Sequence, residues 1–179
     1  MSYLCDASRS LLIVIDLQQK LMPVIADGEH VVKRAALLAQ AARLLQIPVL
    51  GTAQQPLRLG PTVAAIQPLL DKTIEKSSFD ACASQDFLAA LEGDRDELII
   101  TGSEAHVCVL QTALGLLNRK RKVKIVTDAI GSRDNANKAA AIQRAQAAGA
   151  DIVTSEMVMF EWMRHSEHAQ FKQILKLIK

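Results

Sequence analysis

Aromatic side chains are scarce in this sequence: 3% of 179 residues, with one Trp, one Tyr and four Phe. A single-strand nucleic-acid platform stacks bases on such rings, so this scarcity argues against one. Charge of one sign is lacking too. Twenty-one Lys and Arg face nineteen Asp and Glu, a formal net charge of +2. That balance gives almost no phosphate-attracting field, and no nucleic-acid partner is expected. Long hydrophobic runs are absent. The apolar run Leu11–Ile15 follows the polar stretch Met1–Arg9 and is far too short for a membrane span or a secretion signal. Cysteine is sparse and odd in number: Cys5, Cys82 and Cys108, with no CxxC pair. This excludes a disulfide framework and a four-cysteine zinc site, and it fits a reducing cytoplasm. No GxGxxG or GxxxxGK[ST] follows any strand, which argues against a dinucleotide or nucleoside triphosphate site.

What the chain does have is hydrophobic content: half its residues, against 22% charged. This rules out disorder, and the length fits a single domain over residues 1–179 with a sizeable core. Short apolar runs alternate with longer stretches of helical character. Leu11–Ile15 has no polar alternation, so both of its faces are covered, as in a parallel sheet. Further strands are expected at Ile47–Thr52, Thr73–Lys76, Glu97–Thr101, Lys122–Thr127 and Asp151–Thr154. Helices are expected over Asp27–Gln46, Ser84–Leu91, His106–Asn118 and Asn135–Ala148, and along the tail from Ser155. A short helix capped by Thr62 fits Thr62–Leu70. Six strands alternating with helices imply parallel βαβ units and a three-layer α/β/α sandwich. The run Arg119-Lys120-Arg121-Lys122 reads as a solvated helix end.

In an open parallel sheet, ligands bind at the carboxyl ends of the strands. The first strand ends in Asp16 and the third in Lys76, and Cys108 follows the fourth strand near a helix start. Topology thus gathers an acid, a base and a thiol at one end of the sheet. A cysteine in a first helical turn beside a lysine is expected to have a depressed pKa, and the thiolate is the nucleophile. Asp16 is placed to carry the proton. A Cys–His pair with His106 is disfavoured, because residues two apart on a helix do not face each other. Cys5 and Cys82 read as incidental. His165 and His168 offer two metal ligands without a third, and no metal or other cofactor is expected.

Three segments carry a resemblance. Leu12-Ile13-Val14-Ile15-Asp16-Leu17-Gln18, Glu75-Lys76-Ser77-Ser78-Phe79 and Gly102-Ser103-Glu104-Ala105-His106-Val107-Cys108-Val109-Leu110-Gln111-Thr112-Ala113 resemble the isochorismatase-like cysteine hydrolase superfamily. The third segment is similar to its small isochorismatase-domain proteins. Thr127-Asp128-Ala129 followed by Ser132-Arg133 resembles the family's loop after its fifth strand. The resemblance implies a Rossmann-like, six-stranded parallel sheet in order 3-2-1-4-5-6 and an Asp16–Lys76–Cys108 triad. It also implies a non-proline cis peptide at Ser103–Glu104 and an oxyanion hole from the backbone N–H groups of Glu104 and Cys108. The implied reaction is hydrolysis of a C–N bond in a small amide through a thioester. The family's metal-dependent nicotinamidases carry an Asp-x-His after the second strand. Residues 51–56 here read Gly-Thr-Ala-Gln-Gln-Pro, and no histidine occurs from 31 to 105. Isochorismatases proper, which cleave a vinyl ether, lack the cysteine.

Two functional readings remain open at this point. One is a cofactor-independent hydrolase of a small molecule. The other is a catalytically silent homo-oligomer that binds a ligand or partner, with Met157, Met159, Phe160, Trp162 and Met163 serving as interface or as core. Gln18, Leu21, Gln54 and Phe79 are the candidates for the substrate pocket, Gln54 alternatively as a loop cap. Association into a homo-oligomer is expected under either reading.

Overall fold

A computed structural model of the protein describes residues 4–179; Met1, Ser2 and Tyr3 of the polar N-terminal stretch lie outside the described residues. The elements in chain order are β1 (Ser10–Ile15), α1 (Gly28–Leu44), β2 (Val49–Gln54), α2 (Pro56–Leu59), β3 (Lys72–Lys76), α3 (Gln85–Ala90), β4 (Glu97–Ser103), α4 (Leu110–Asn118), β5 (Lys122–Gly131), α5 (Asn135–Ala147), β6 (Asp151–Val153), α6 (Ser155–Met163) and α7 (Phe171–Ile178). The six strands form one sheet in the order β3-β2-β1-β4-β5-β6, and every paired neighbour is parallel.

Apolar alternation on the central strands divides the core in two. Leu12 and Val14 of β1, with Ile99 of β4 and Val126 of β5, pack beneath α1, α6 and α7. Leu11, Ile13 and Ile15, with Ile100 and Ile125, face α3, α4 and α5 on the other side. β1 is buried along its whole length, which is why its sequence shows no polar alternation. Val158, Met159, Trp162 and Met163 enter the first core, while Met157 and Phe160 remain exposed, so the C-terminal methionine-rich segment is mainly core.

Several expectations need correction. The stretch 62–70 holds only a 3-10 turn at Gln67–Leu69, because Pro68 and the preceding turn prevent a longer helix, and Thr62 pairs with Gln18 in an isolated bridge instead of capping. β5 continues beyond Thr127 to Gly131, since Ile130 and Gly131 pair with Gly102 and Ser103 past a register shift in β4. The helix expected from His106 is divided: a π-helical turn over Ala105–Val109 precedes the regular helix from Leu110. Cys5, read as incidental in the polar N-terminal stretch, is built into the fold. It is fully buried, its N–H donates to Glu161 at 2.7 Å, and Arg164 holds its carbonyl at 2.8 Å.

One close approach sets the spacing of the sheet centre. Gly102 has φ +123 and lies opposite Ile15 in the β1–β4 register. A Cβ built at Gly102 would collide with the Ile15 carbonyl oxygen, so only glycine lets the two backbones meet there.

Candidate active site

The sheet order makes β1 the neighbour of both β2 and β4, so the carboxyl ends of three strands converge. Asp16 follows the last residue of β1, with φ +50 and no solvent exposure. Aspartate is among the few residues that accept this left-handed conformation without severe strain. Its two carboxylate oxygens have different partners. Oδ1 accepts from the Thr52 hydroxyl of β2 at 2.7 Å, and Oδ2 from Lys76 Nζ of β3 at 2.7 Å. The Lys76 and Asp16 side chains are 1% and 0% exposed, a fully buried ion pair. Such a pair survives only when its remaining hydrogen-bonding capacity is met. Lys76 Nζ meets it with the Gln54 amide oxygen at 2.9 Å and the Ser78 carbonyl at 3.2 Å.

The Cys108 thiol lies against both charged groups. Burial, followed by the Asp16 carboxylate, pushes its pKa up to about 12, and Lys76 only partly offsets them. This corrects the expectation of a depressed pKa. Cys108 sits in the π-helical turn, is 6% exposed, and desolvation outweighs the lysine. At rest the Cys108 side chain is therefore a thiol with a carboxylate beside it.

Gln54 and Gln18 have roles other than those expected. Gln54 caps no loop: its amide bridges Lys76 Nζ and the Ser77 carbonyl, the latter at 2.7 Å. Gln18 is fully buried and spends its amide on the backbone. It donates to the carbonyls of Gln54 at 3.1 Å and Gly60 at 2.7 Å, and accepts from Gln54 N–H at 2.8 Å. It is a bracket that holds the end of β2, with both of its amide N–H donors spent on backbone carbonyls. Leu21 is half-buried ahead of the turn Met22–Val24, and Phe79 is 52% exposed. Leu21 packs against the first core, whereas Cys108 belongs to the second.

The turn between β4 and α4 carries Cys108. The Ser103–Glu104 peptide bond is cis, and the Ser103 hydroxyl donates to the Asp16 carbonyl at 3.2 Å. The Glu104 carbonyl accepts from the N–H groups of Val107 and Val109, closing the turn. The Glu104 carboxylate is paired with Arg133. His106 is engaged by Ser132, with its Nδ1 3.0 Å from the Ser132 hydroxyl. Among the described residues no group of three His, Cys, Asp or Glu is placed to hold a metal, and His165 and His168 stand as a tilted ring pair. A cavity of about 690 Å³ lies beside α1, lined by Met22, Val32, Leu37 and Val63 among others, and its lining includes none of Asp16, Lys76 and Cys108.

This arrangement has relatives. The isochorismatase domain family model matches residues 10–157. The chain belongs to the isochorismatase family. Isochorismatase domain-containing protein 2A of Mus musculus is 36% identical over 176 residues, covering 95% of this chain and 82% of the mouse protein. The structure described as the MAR1 ribonuclease of Caenorhabditis elegans is 35% identical with a TM-score of 0.92, over 97% of this chain and 91% of that one. YcaC from Pseudomonas aeruginosa, solved with hexane-2,5-diol and covalent acrylamide, is 25% identical with a TM-score of 0.91, over 99% of this chain and 93% of that one. The family's fold accounts for the sheet order and for the gathering of β1, β3 and β4 termini.

Sequence reasoning missed Thr52 and Ser78 as partners of the buried pair. Thr52 is the last residue of the second strand expected from sequence, and it pairs in the sheet with Ile15, the residue before Asp16. The Ser78 contribution is a backbone carbonyl, for which side-chain identity carries no signal.

Proposed function

We propose that this protein is a cofactor-independent cysteine hydrolase that cleaves the C–N bond of a small amide through a thioester on Cys108. The observation that carries this reading is the buried Asp16–Lys76 ion pair with the Cys108 thiol against it. Asp16 takes the thiol proton as Cys108 Sγ attacks the substrate carbonyl carbon. The Glu104 and Cys108 N–H groups receive the resulting oxyanion. As the tetrahedral intermediate collapses, the C–N bond breaks and Asp16 returns the proton to the leaving nitrogen. A water molecule, deprotonated by Asp16, then attacks the thioester. The carboxylic acid leaves, and Sγ regains its proton. Lys76 stays protonated throughout, holding the Asp16 carboxylate in place and balancing charge as the thiolate forms.

The raised thiol pKa agrees with this sequence, because a thiol that stays neutral at rest needs a base in the attacking step. The covalent acrylamide of the Pseudomonas aeruginosa neighbour supports a reactive nucleophile in this fold, since nucleophiles add to acrylamide at its vinyl carbon and leave the amide intact. The reading places the protein in the cytoplasm, where its three free cysteines stay reduced, and has it act as a homo-oligomer.

The ribonuclease name of the Caenorhabditis elegans neighbour motivates a second reading, cleavage of RNA. The basic run after α4 does not favour it. Arg119 is committed to the Gly115 carbonyl, Arg121 to the Leu91 carbonyl and Lys122 to Asp96. One experiment separates the readings. The protein is incubated with a panel of small neutral amides and, separately, with unstructured RNA, while ammonia or amine release, RNA length and the mass of the Cys108 peptide are followed. Amine release with an acyl adduct on Cys108, both lost in Cys108→Ala, is the expected result. RNA shortening without amine release, or turnover that survives Cys108→Ala, overturns the proposal. Ligand binding without turnover of any probe favours the silent binding protein.

A further inference from the structure

The residue that supplies an oxyanion N–H in this mechanism also carries a carboxylate. A negative charge beside a developing oxyanion opposes it, at a strength set by the low dielectric of a buried site. The Glu104 side chain is only 10% exposed, so water does little to screen it. Arg133, just past the end of β5, answers that charge. Its backbone N–H donates to Glu104 Oε2 at 3.0 Å, and its Nε lies 3.2 Å from Oε1 and 3.1 Å from Oε2. The adjacent residue adds a second tie to the same turn, since the Ser132 hydroxyl meets His106 Nδ1 at 3.0 Å. Ser132 is itself anchored, being fully buried and accepting from Ala26 N–H at 3.0 Å. Residues 132 and 133 thus grip positions 104 and 106 of the nucleophile turn from a neighbouring strand.

From this geometry we propose that Arg133 is a positioning residue for the hydrolysis, clamping the Glu104 carboxylate so that the Glu104 N–H is aimed at the oxyanion and its own negative charge is neutralised. The proposal rests on the cysteine hydrolase reading. Arg133 touches no reacting atom. With its side chain 63% exposed it contributes little to the core, so its value lies in the charge and direction it imposes on Glu104.

Two small neutral probes isolate this role. p-Nitrophenyl acetate acylates Cys108 through a tetrahedral oxyanion and releases p-nitrophenolate. Iodoacetamide alkylates the same sulfur by displacing iodide and passes through no oxyanion. In Arg133→Gln the p-nitrophenolate burst rate is expected to fall roughly tenfold or more, less than loss of an oxyanion donor outright. The iodoacetamide rate at Cys108 is expected to hold within about twofold, since direct alkylation has no oxyanion to stabilise. Arg133→Lys, which keeps the charge and the backbone donor, falls between Arg133→Gln and wild type. Adding Glu104→Gln to Arg133→Gln removes the unneutralised charge and recovers most of the burst. Equal losses in both probes would mean a merely structural effect and would overturn the proposal, as would an unchanged burst, or a double variant worse than Arg133→Gln. Arg133→Lys keeps the test decisive should Arg133→Gln fold poorly. Failure of the underlying reading has its own signature: a p-nitrophenolate burst that survives in Cys108→Ala.

Discussion

The sheet carries two buried assemblies of cysteine, lysine and carboxylate, one at each end. At the carboxyl end stand Cys108, Lys76 and Asp16; at the amino end, Cys5, Lys124 and Glu161, with Asp151 beyond. Both cysteines have raised pKa values, burial being the largest cause in each, reinforced by the neighbouring carboxylate and offset in part by the lysine. Composition and electrostatic direction are therefore shared. Connectivity differs. At the carboxyl end the lysine bonds to the same carboxylate that lies against the thiol. At the amino end Glu161 holds the Cys5 backbone N–H, and Lys124 pairs with a separate carboxylate, Asp151, whose side chain is 51% exposed. The first is a closed set of carboxylate, ammonium and thiol at the strand termini, the set to which the proposed hydrolysis assigns its proton transfers. The second fastens the N-terminal segment to α6. A reactive site is recognised by which groups share a proton path, and proximity of the same residue types is insufficient.

The largest expected difference between the ends is in turnover. Cys108→Ala should remove amide hydrolysis entirely, while Cys5→Ala should leave it within about twofold and lower the melting temperature, because deleting a buried thiol leaves a small void. Loss of activity in both variants would erase the distinction. Next is the acid. Asp16→Asn leaves Lys76 buried without a counter-charge, and a broken buried pair costs about 3–5 kcal/mol, so both activity and chemical-denaturation stability should drop. Asp151→Asn tests the same substitution at the other end. There the partly exposed pair is worth less than about 1 kcal/mol, and activity should be unaffected.

A further difference is a pH slope. Thiols whose pKa values are raised by folding stay protonated in the native chain after the unfolded chain has ionised. Stability is then full below the ordinary thiol pKa and falls as pH rises from there toward the native values, which for Cys82 and Cys108 are about 12. Denaturation midpoints should decline above pH 9, and less steeply in Cys5→Ala than in wild type. A flat profile would show that the burial of these thiols has no consequence for titration.

Much of this architecture is legible in the residues. β1 announces itself as an apolar run without alternation, and the strand ends Asp16 and Lys76 follow from where the runs stop. The π-helical turn is not legible, because Ala-His-Val-Cys-Val-Leu has the periodicity of any helix start, and one extra residue per turn leaves no pattern. The thiol pKa is misread for a related reason. A local argument from the helix end and lysine omits the desolvation supplied by residues distant in sequence. Gln54 and Cys5 fail similarly: the partners that define them lie 22 and 156 positions away.

Gly102 links the two halves of the site through its missing side chain. The β1 and β4 backbones touch there, one residue before each chain turns off to present Asp16 and Ser103. Asp16 and the turn that carries Cys108 are thus measured from a common bench mark of zero thickness. Any side chain at 102 would act as a shim, widening both distances at once and displacing Asp16 and the Cys108 turn together, with every side chain of the site still present.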